Sequence, residues 1–139
     1  MEYTSGMTLL RSVGSTAAVV LISFLGILPL NAEDTSDLKR DVDIAVLRTQ
    51  VAMLSLQVQL ATIRPECIAN PACRKQAFVV IATSRQAFTL SFRDANVAIG
   101  RSQKAGAQSK LESDASRGAL DGFKADFEAS VWLFEKILK

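Results

Sequence analysis

Two cysteines, Cys67 and Cys73, flank an Asn70-Pro71 pair, and their type and spacing imply chemistry more directly than any other residues of the chain. Oxidised, they would close a small loop into a disulfide, a bond that persists outside the reducing cytoplasm. On the chain-entropy account so short a loop contributes roughly 2 kcal/mol, and the bridge would set the angle between the segments on either side. The competing use is redox exchange, but the pair lacks the Cys-x-x-Cys spacing that lowers a thiol pKa. Two thiolates in a chain without histidine cannot complete a four-ligand zinc site, so no metal is expected.

The absence of histidine also removes the commonest general base near neutral pH. Asp121, Asp126, Glu128 and Glu135 are spaced as the polar face of a helix, not as a catalytic pair. Arg85 interrupts an apolar row; it could bind an anion or pair with Asp94 or an acid of a neighbouring helix, and its ordinary fate is to snorkel to the surface. No Gly-rich phosphate loop, nucleophile elbow or asparagine glycosylation sequon is present. The chain therefore reads as noncatalytic, with no cofactor and no small-molecule substrate. Sixteen basic against fourteen acidic residues give a net charge of only +2, too weak a field for a nucleic-acid partner.

The N-terminal residues carry the first element. Arg11 precedes an apolar run from Ala17 to Leu30, followed by Asn31-Ala32 and then Glu33-Asp34, the order of a secretory signal with cleavage between Ala32 and Glu33. Pro29 is expected to break the helix and leave an extended, small-residue end. Uncleaved, residues 12–32 would instead be a membrane anchor, but fourteen residues from Ala17 to Leu30 span about 21 Å against a hydrocarbon core of roughly 30 Å. Residues 1–32 are thus a leader and residues 33–139 a helical domain that works in a periplasm or outside the cell. Export and the disulfide support each other, since oxidation of Cys67 and Cys73 requires the first.

Within the domain, a helix is expected from Thr35 or Ser36, with Asp37, Asp41 and Asp43 where the helix dipole favours acid. Ile44, Leu47, Val51, Leu54, Val58 and Ala61 alternate three and four residues apart, a heptad-like coiled-coil seam. A second stripe, Val46, Met53, Leu56, Leu60 and Ile63, is expected beside the first, so the helix needs neighbours on more than one side. It should stop at Arg64, because the residue before Pro65 is pushed out of helical geometry. After a loop, Asn70 caps a second helix with Pro71 at its first position. Phe78, Ile81, Phe88, Phe92, Ala95 and Ile99 form its apolar row. Residues 100–118 read as a polar connector with partial helix and a break near Gly118. Leu120, Phe123, Phe127, Val131, Phe134 and Leu138 make a third, amphipathic helix.

The expected fold is all-α: a disulfide-linked helical hairpin plus a C-terminal amphipathic helix in a small bundle. Trp132, Leu133 and Ile137 lie beside or opposite the Phe123, Phe127, Phe134 row. Either the connector folds over them or they bind a protein partner or another copy, since the acidic content of that helix suits a membrane surface poorly. Membrane contact is expected only through the N-terminal segment.

Overall fold

The computed structural model describes residues 28–139, with side chains from Thr35 onward. Residues 1–27, which contain most of the expected leader, lie outside the described residues. Four helices follow in order, α1 (Leu28–Ala61), α2 (Pro65–Ala69), α3 (Pro71–Lys104) and α4 (Lys110–Leu138), and the described residues contain no strand. α1, α3 and α4 pack as an all-α bundle within the unit Asp37–Lys139.

α1 departs from expectation at its start. The helix does not begin at Thr35 or Ser36; it runs unbroken through Pro29, Ala32 and Glu33. Pro29 therefore does not separate the residues that follow it from helical geometry. At the other end the backbone leaves the helix before Arg64, which is extended (φ −76°, ψ 151°) as a residue preceding proline must be. The expected loop after it contains a short helix, α2. The Cys67–Cys73 disulfide ties α2 to the first turn of α3, with the Cα atoms 5.1 Å apart.

α3 begins as its sequence dictates. The Asn70 side-chain oxygen accepts from the amides of Ala72 and Cys73 at 3.0 and 3.3 Å, and Pro71 occupies the first helical position. Its end corrects the expected connector. Gly106 adopts φ +72°, the Ala107 amide donates to the Ser102 carbonyl at 2.8 Å, and the Gly106 amide donates to Gln103 at 3.1 Å. This pair of bonds around a left-handed glycine closes off the carbonyl end of a helix and turns the chain. Ser109 then caps α4 reciprocally: its hydroxyl accepts from the Glu112 amide at 3.1 Å, and Glu112 Oε2 accepts from the Ser109 amide at 2.8 Å.

The break therefore falls at Ala105–Ser109, and α4 continues straight through Gly118. The burial of Leu120, Phe127 and Val131 along the same helix offsets the roughly 1 kcal/mol by which glycine disfavours it. A Cβ added at Gly118 meets nothing within 4 Å. Gly118→Ala is accordingly expected to stabilise the domain by about 1 kcal/mol, seen as a higher urea midpoint at unchanged slope.

Two clusters make the core. Met53, Leu56, Leu60, Ala77, Ile81, Phe88, Phe127, Val131 and Leu138 fill the part nearer the disulfide, where the Phe88 and Phe127 rings stack with centroids 4.3 Å apart. Val42, Ala95, Ile99 and Leu120 fill the part nearer the α3–α4 turn. The rows expected on α3 and α4 face inward, with Phe78, Phe92, Phe123 and Phe134 partly buried at the margins.

α1 behaves differently. At 100° per residue its two apolar stripes lie roughly 160° apart, on opposite faces and not side by side. The core takes Met53, Leu56 and Leu60 of the second stripe, extended by Val42 and Thr49. The heptad seam points to solvent, with Ile44, Leu47, Val51, Leu54 and Val58 between 40% and 65% exposed.

Candidate functional site

Three features could act on something outside the chain: two exposed apolar surfaces and one cleft. The first surface is the outward stripe of α1. Its residues project from a helix whose opposite face is anchored in the core, so they form a fixed ridge. Shallow grooves run along both sides. One, of about 380 Å³, passes between Leu47 and the small residues Ala115 and Ala119 of α4; the other, of about 530 Å³, passes between Val51 and Ser91 of α3. The segment Thr35–Ala61 is long and apolar enough to cross a membrane, with a mean hydropathy of 1.3 over its most apolar window. That apolarity is the sum of two faces, one of which is buried against α3 and α4.

The second surface is the outer face of α4 near its end. Trp132 is 61% exposed, Leu133 and Ile137 are also exposed, and none is covered by the 100–118 segment. The Lys136 ammonium lies 4.7 Å from the Trp132 ring centroid, a cation–π contact that leaves most of the indole accessible. Val79, Leu90 and Val97 are exposed on α3 but stand singly, as apolar surface residues ordinarily do.

The cleft opens beside the disulfide, between the end of α1 and the start of α3. Its volume is about 600 Å³ and its walls include Gln59, Ile63, Glu66, Asn70, Gln76 and Val80. The size suits a small ligand, yet most of the polar side chains around it are solvent-exposed, and Glu66 and Arg64 are the charged groups on its rim. Nothing in the sequence pattern announces this cleft, because it arises from the angle that α2 and the disulfide impose on the hairpin.

Other chemistry-bearing residues have settled structural partners. Arg85 is exposed and reaches across to Glu135 of α4 at 3.3 Å, the interhelical pairing that was one of its expected roles. Ala32 and Glu33, the expected cleavage position, lie in helical backbone. Among the described residues no group of three Cys, Asp or Glu side chains is close enough together to hold a metal ion. Ser102, Gln108 and Ser113 are buried at the α3–α4 turn, where Ser102 Oγ, Gln108 Oε1 and Ser113 Oγ have no hydrogen-bond partner among the described residues. All three are neutral, and no titratable group is buried with them.

One ion pair has a marked electrostatic signature. The Lys39 ammonium donates to Glu112 Oε1 at 2.7 Å, joining α1 to the start of α4. That bond, reinforced by the Ser109 amide, holds the Glu112 carboxyl below its usual 4.5, and Glu112 in turn raises Lys39 above 10.5. Because the folded carboxyl is the stronger acid, its contribution to stability is complete above pH 4.5 and is lost as pH falls through the lowered value. The raised lysine contributes fully below pH 10.5 and loses its share as pH climbs through the raised value. Wild type should therefore exceed Glu112→Gln in stability across the intervening range. The gap should close at low pH, narrow at high pH, where Glu112 keeps its bond from the Ser109 amide, and shrink with salt, since both side chains are about half exposed. Urea midpoints of the two proteins against pH test this.

Compared with known protein families, characterised proteins and solved structures, the chain matches none.

Proposed function

We propose that this is an exported, noncatalytic helical protein that acts through protein–protein contacts, as a binding or assembly component of a periplasmic, envelope or extracellular complex. The observation that carries the reading is the distribution of apolar surface. A small domain with a filled core still holds out two sets of large apolar side chains, along α1 and at Trp132, Leu133 and Ile137 on α4. Contiguous apolar surface of this kind is the expected mark of a contact surface. The disulfide supports a place in an oxidising compartment.

A second reading is supported by one observation. α1 runs without interruption through Ala32 and Glu33, which favours an uncleaved N-terminal segment that tethers the domain beside an integral membrane complex. The mass of the protein recovered from its host separates the two: a chain beginning at Glu33 sinks the tether, and a full-length chain in the membrane fraction sinks the free form.

Photo-crosslinking in the host tests the contact reading. A benzoylphenylalanine at position 133 should yield adducts of discrete mass, and one at exposed Lys75 should yield none. Trp132→Ser combined with Leu133→Gln should reduce the adduct formed from position 137 at least tenfold while helical circular dichroism is unchanged. Loss of the helical signal would make these residues structural, and absence of adducts at 133 together with positions along α1 would sink the reading.

A further inference from the structure

We propose that the outward stripe of α1 is a homodimer seam, on which a second copy of this chain packs its own α1 in parallel and in register. The inference rests on the reading of the protein as an assembly component and names the partner of one of its surfaces. Three observations carry it.

The first is the repeat. Ile44, Leu47, Val51, Leu54, Val58 and Ala61 occupy the a and d positions of successive heptads without a slip, over about 26 Å of helix. A core stripe buried within one bundle can be ragged, and the inward face of α1 is filled with Thr49 among its apolar residues. An uninterrupted heptad on the solvent side is the spacing at which side chains of one helix enter the holes of another. α1 is already held helical by its inner face, so pairing does not have to nucleate it.

The second is residue shape. The a positions are Ile44, Val51 and Val58, all β-branched, and two of the three d positions are Leu47 and Leu54. β-branched residues at a with leucine at d are the combination that favours two parallel strands over three or four. Ala61 at the last d position lets the helices close where α1 ends.

The third is charge. In a parallel pair the residue before each a position faces the partner residue five places further on, so Asp43 meets the partner's Arg48 and, by symmetry, Arg48 meets the partner's Asp43. Both side chains are exposed and neither is within ion-pair distance of a partner in the chain among the described residues; Asp43 feels only the more distant Lys39 ammonium. The corresponding later positions are Gln50 with Ser55 and Gln57 with Thr62, which are uncharged and repel nothing. An antiparallel pair would bring the end of one helix that bears Asp43 and Arg48 against the uncharged end of the other.

The test is disulfide trapping in the full-length chain, purified in mild detergent, where Cys67 and Cys73 are already bonded to each other. Ile44→Cys and Val51→Cys, oxidised with copper phenanthroline, should each give covalent dimers in most chains. A mixture of Ile44→Cys and Ala61→Cys chains should link like to like. Links between 44 and 61 only would overturn the parallel arrangement. A monomer by light scattering with no link at 44 or 51 would overturn the dimer and leave the stripe to another occupant, such as the N-terminal apolar segment. Trapping at Leu133→Cys without trapping at 44 would defeat this inference while leaving the broader contact reading intact. Val51→Lys with Leu54→Glu should raise the dimer dissociation constant at least tenfold with helical content unchanged; unaltered association would refute the seam.

Discussion

Leu56→Ala is expected to lower the stability of the bundle by about 3 kcal/mol, and Leu54→Ala, two residues away on the same helix, to cost less than about 1 kcal/mol. Leucine-to-alanine changes in close-packed interiors cost a transfer term and a cavity term together, and Leu56 at 0% exposed is charged with both. Leu54 is 44% exposed, has less to lose on truncation, and leaves no cavity in the domain. The contrast tests which face of α1 is inside. Urea titrations of both variants at low protein concentration measure it, since a dimer would add its own concentration-dependent term at Leu54. Equal costs would mean that both faces are buried within one chain, and a reversed order would mean that α1 is rotated by half a turn.

The second large effect is loss of the disulfide. Replacing Cys67 and Cys73 together by serine should cost about 2 kcal/mol, the loop-closure entropy of a crosslink six residues apart. Cys67 is also buried, so its replacement by a hydroxyl adds a smaller desolvation term. The damage should be local before it is global. Amides of α2 should exchange faster with solvent under conditions in which the middle of α3 remains protected, because α2 is five residues long and has few other anchors. Reduction of the native protein should reproduce the double-serine result. A midpoint unchanged on reduction would show that the hairpin angle is set by the core alone.

Much of this architecture is legible in the sequence wherever a local rule decides it. The Asn70-Pro71 start of α3 and the stop before Pro65 follow from backbone sterics and one side-chain hydrogen bond. The inward rows of α3 and α4 follow from periodicity, because each of those helices has only one wide apolar face. The connector is harder. Gly100, Gly106 and Gly118 look alike in sequence, and the turn falls at Gly106 because Ser109 and Glu112 cap a new helix there; Gly118 is carried along by the burial of Leu120 two residues later. Glu112 pairs with Lys39, seventy-three residues earlier, a contact that no local rule reveals.

The candidate contact surface is legible as residues and illegible as geometry. Trp132, Leu133 and Ile137 are visible in the sequence as surplus apolar residues, and they are exposed. The stripe from Ile44 to Ala61 reads as a packing seam, but two stripes of equal apolarity compete for one core. Hydrophobicity does not rank them; in the folded chain it is Met53, Leu56 and Leu60 that pack with Phe88, Phe127 and Leu138. The cleft beside the disulfide has no sequence signature, since it depends on the angle between segments.

A helix that is apolar on opposite sides gives the folding chain two ways to dock it, which the hydrophobic effect alone would leave nearly equal in energy. Polar contacts break the tie. Lys39 reaches Glu112, and the Gln57 amide donates to the Ser130 hydroxyl at 3.3 Å, only when the Leu56 face is turned inward. Each such bond is weak, but both act on the difference between the correct and the inverted bundle, and that gap makes a landscape lead to one structure. These two contacts favour the observed orientation of α1 over the inverted one.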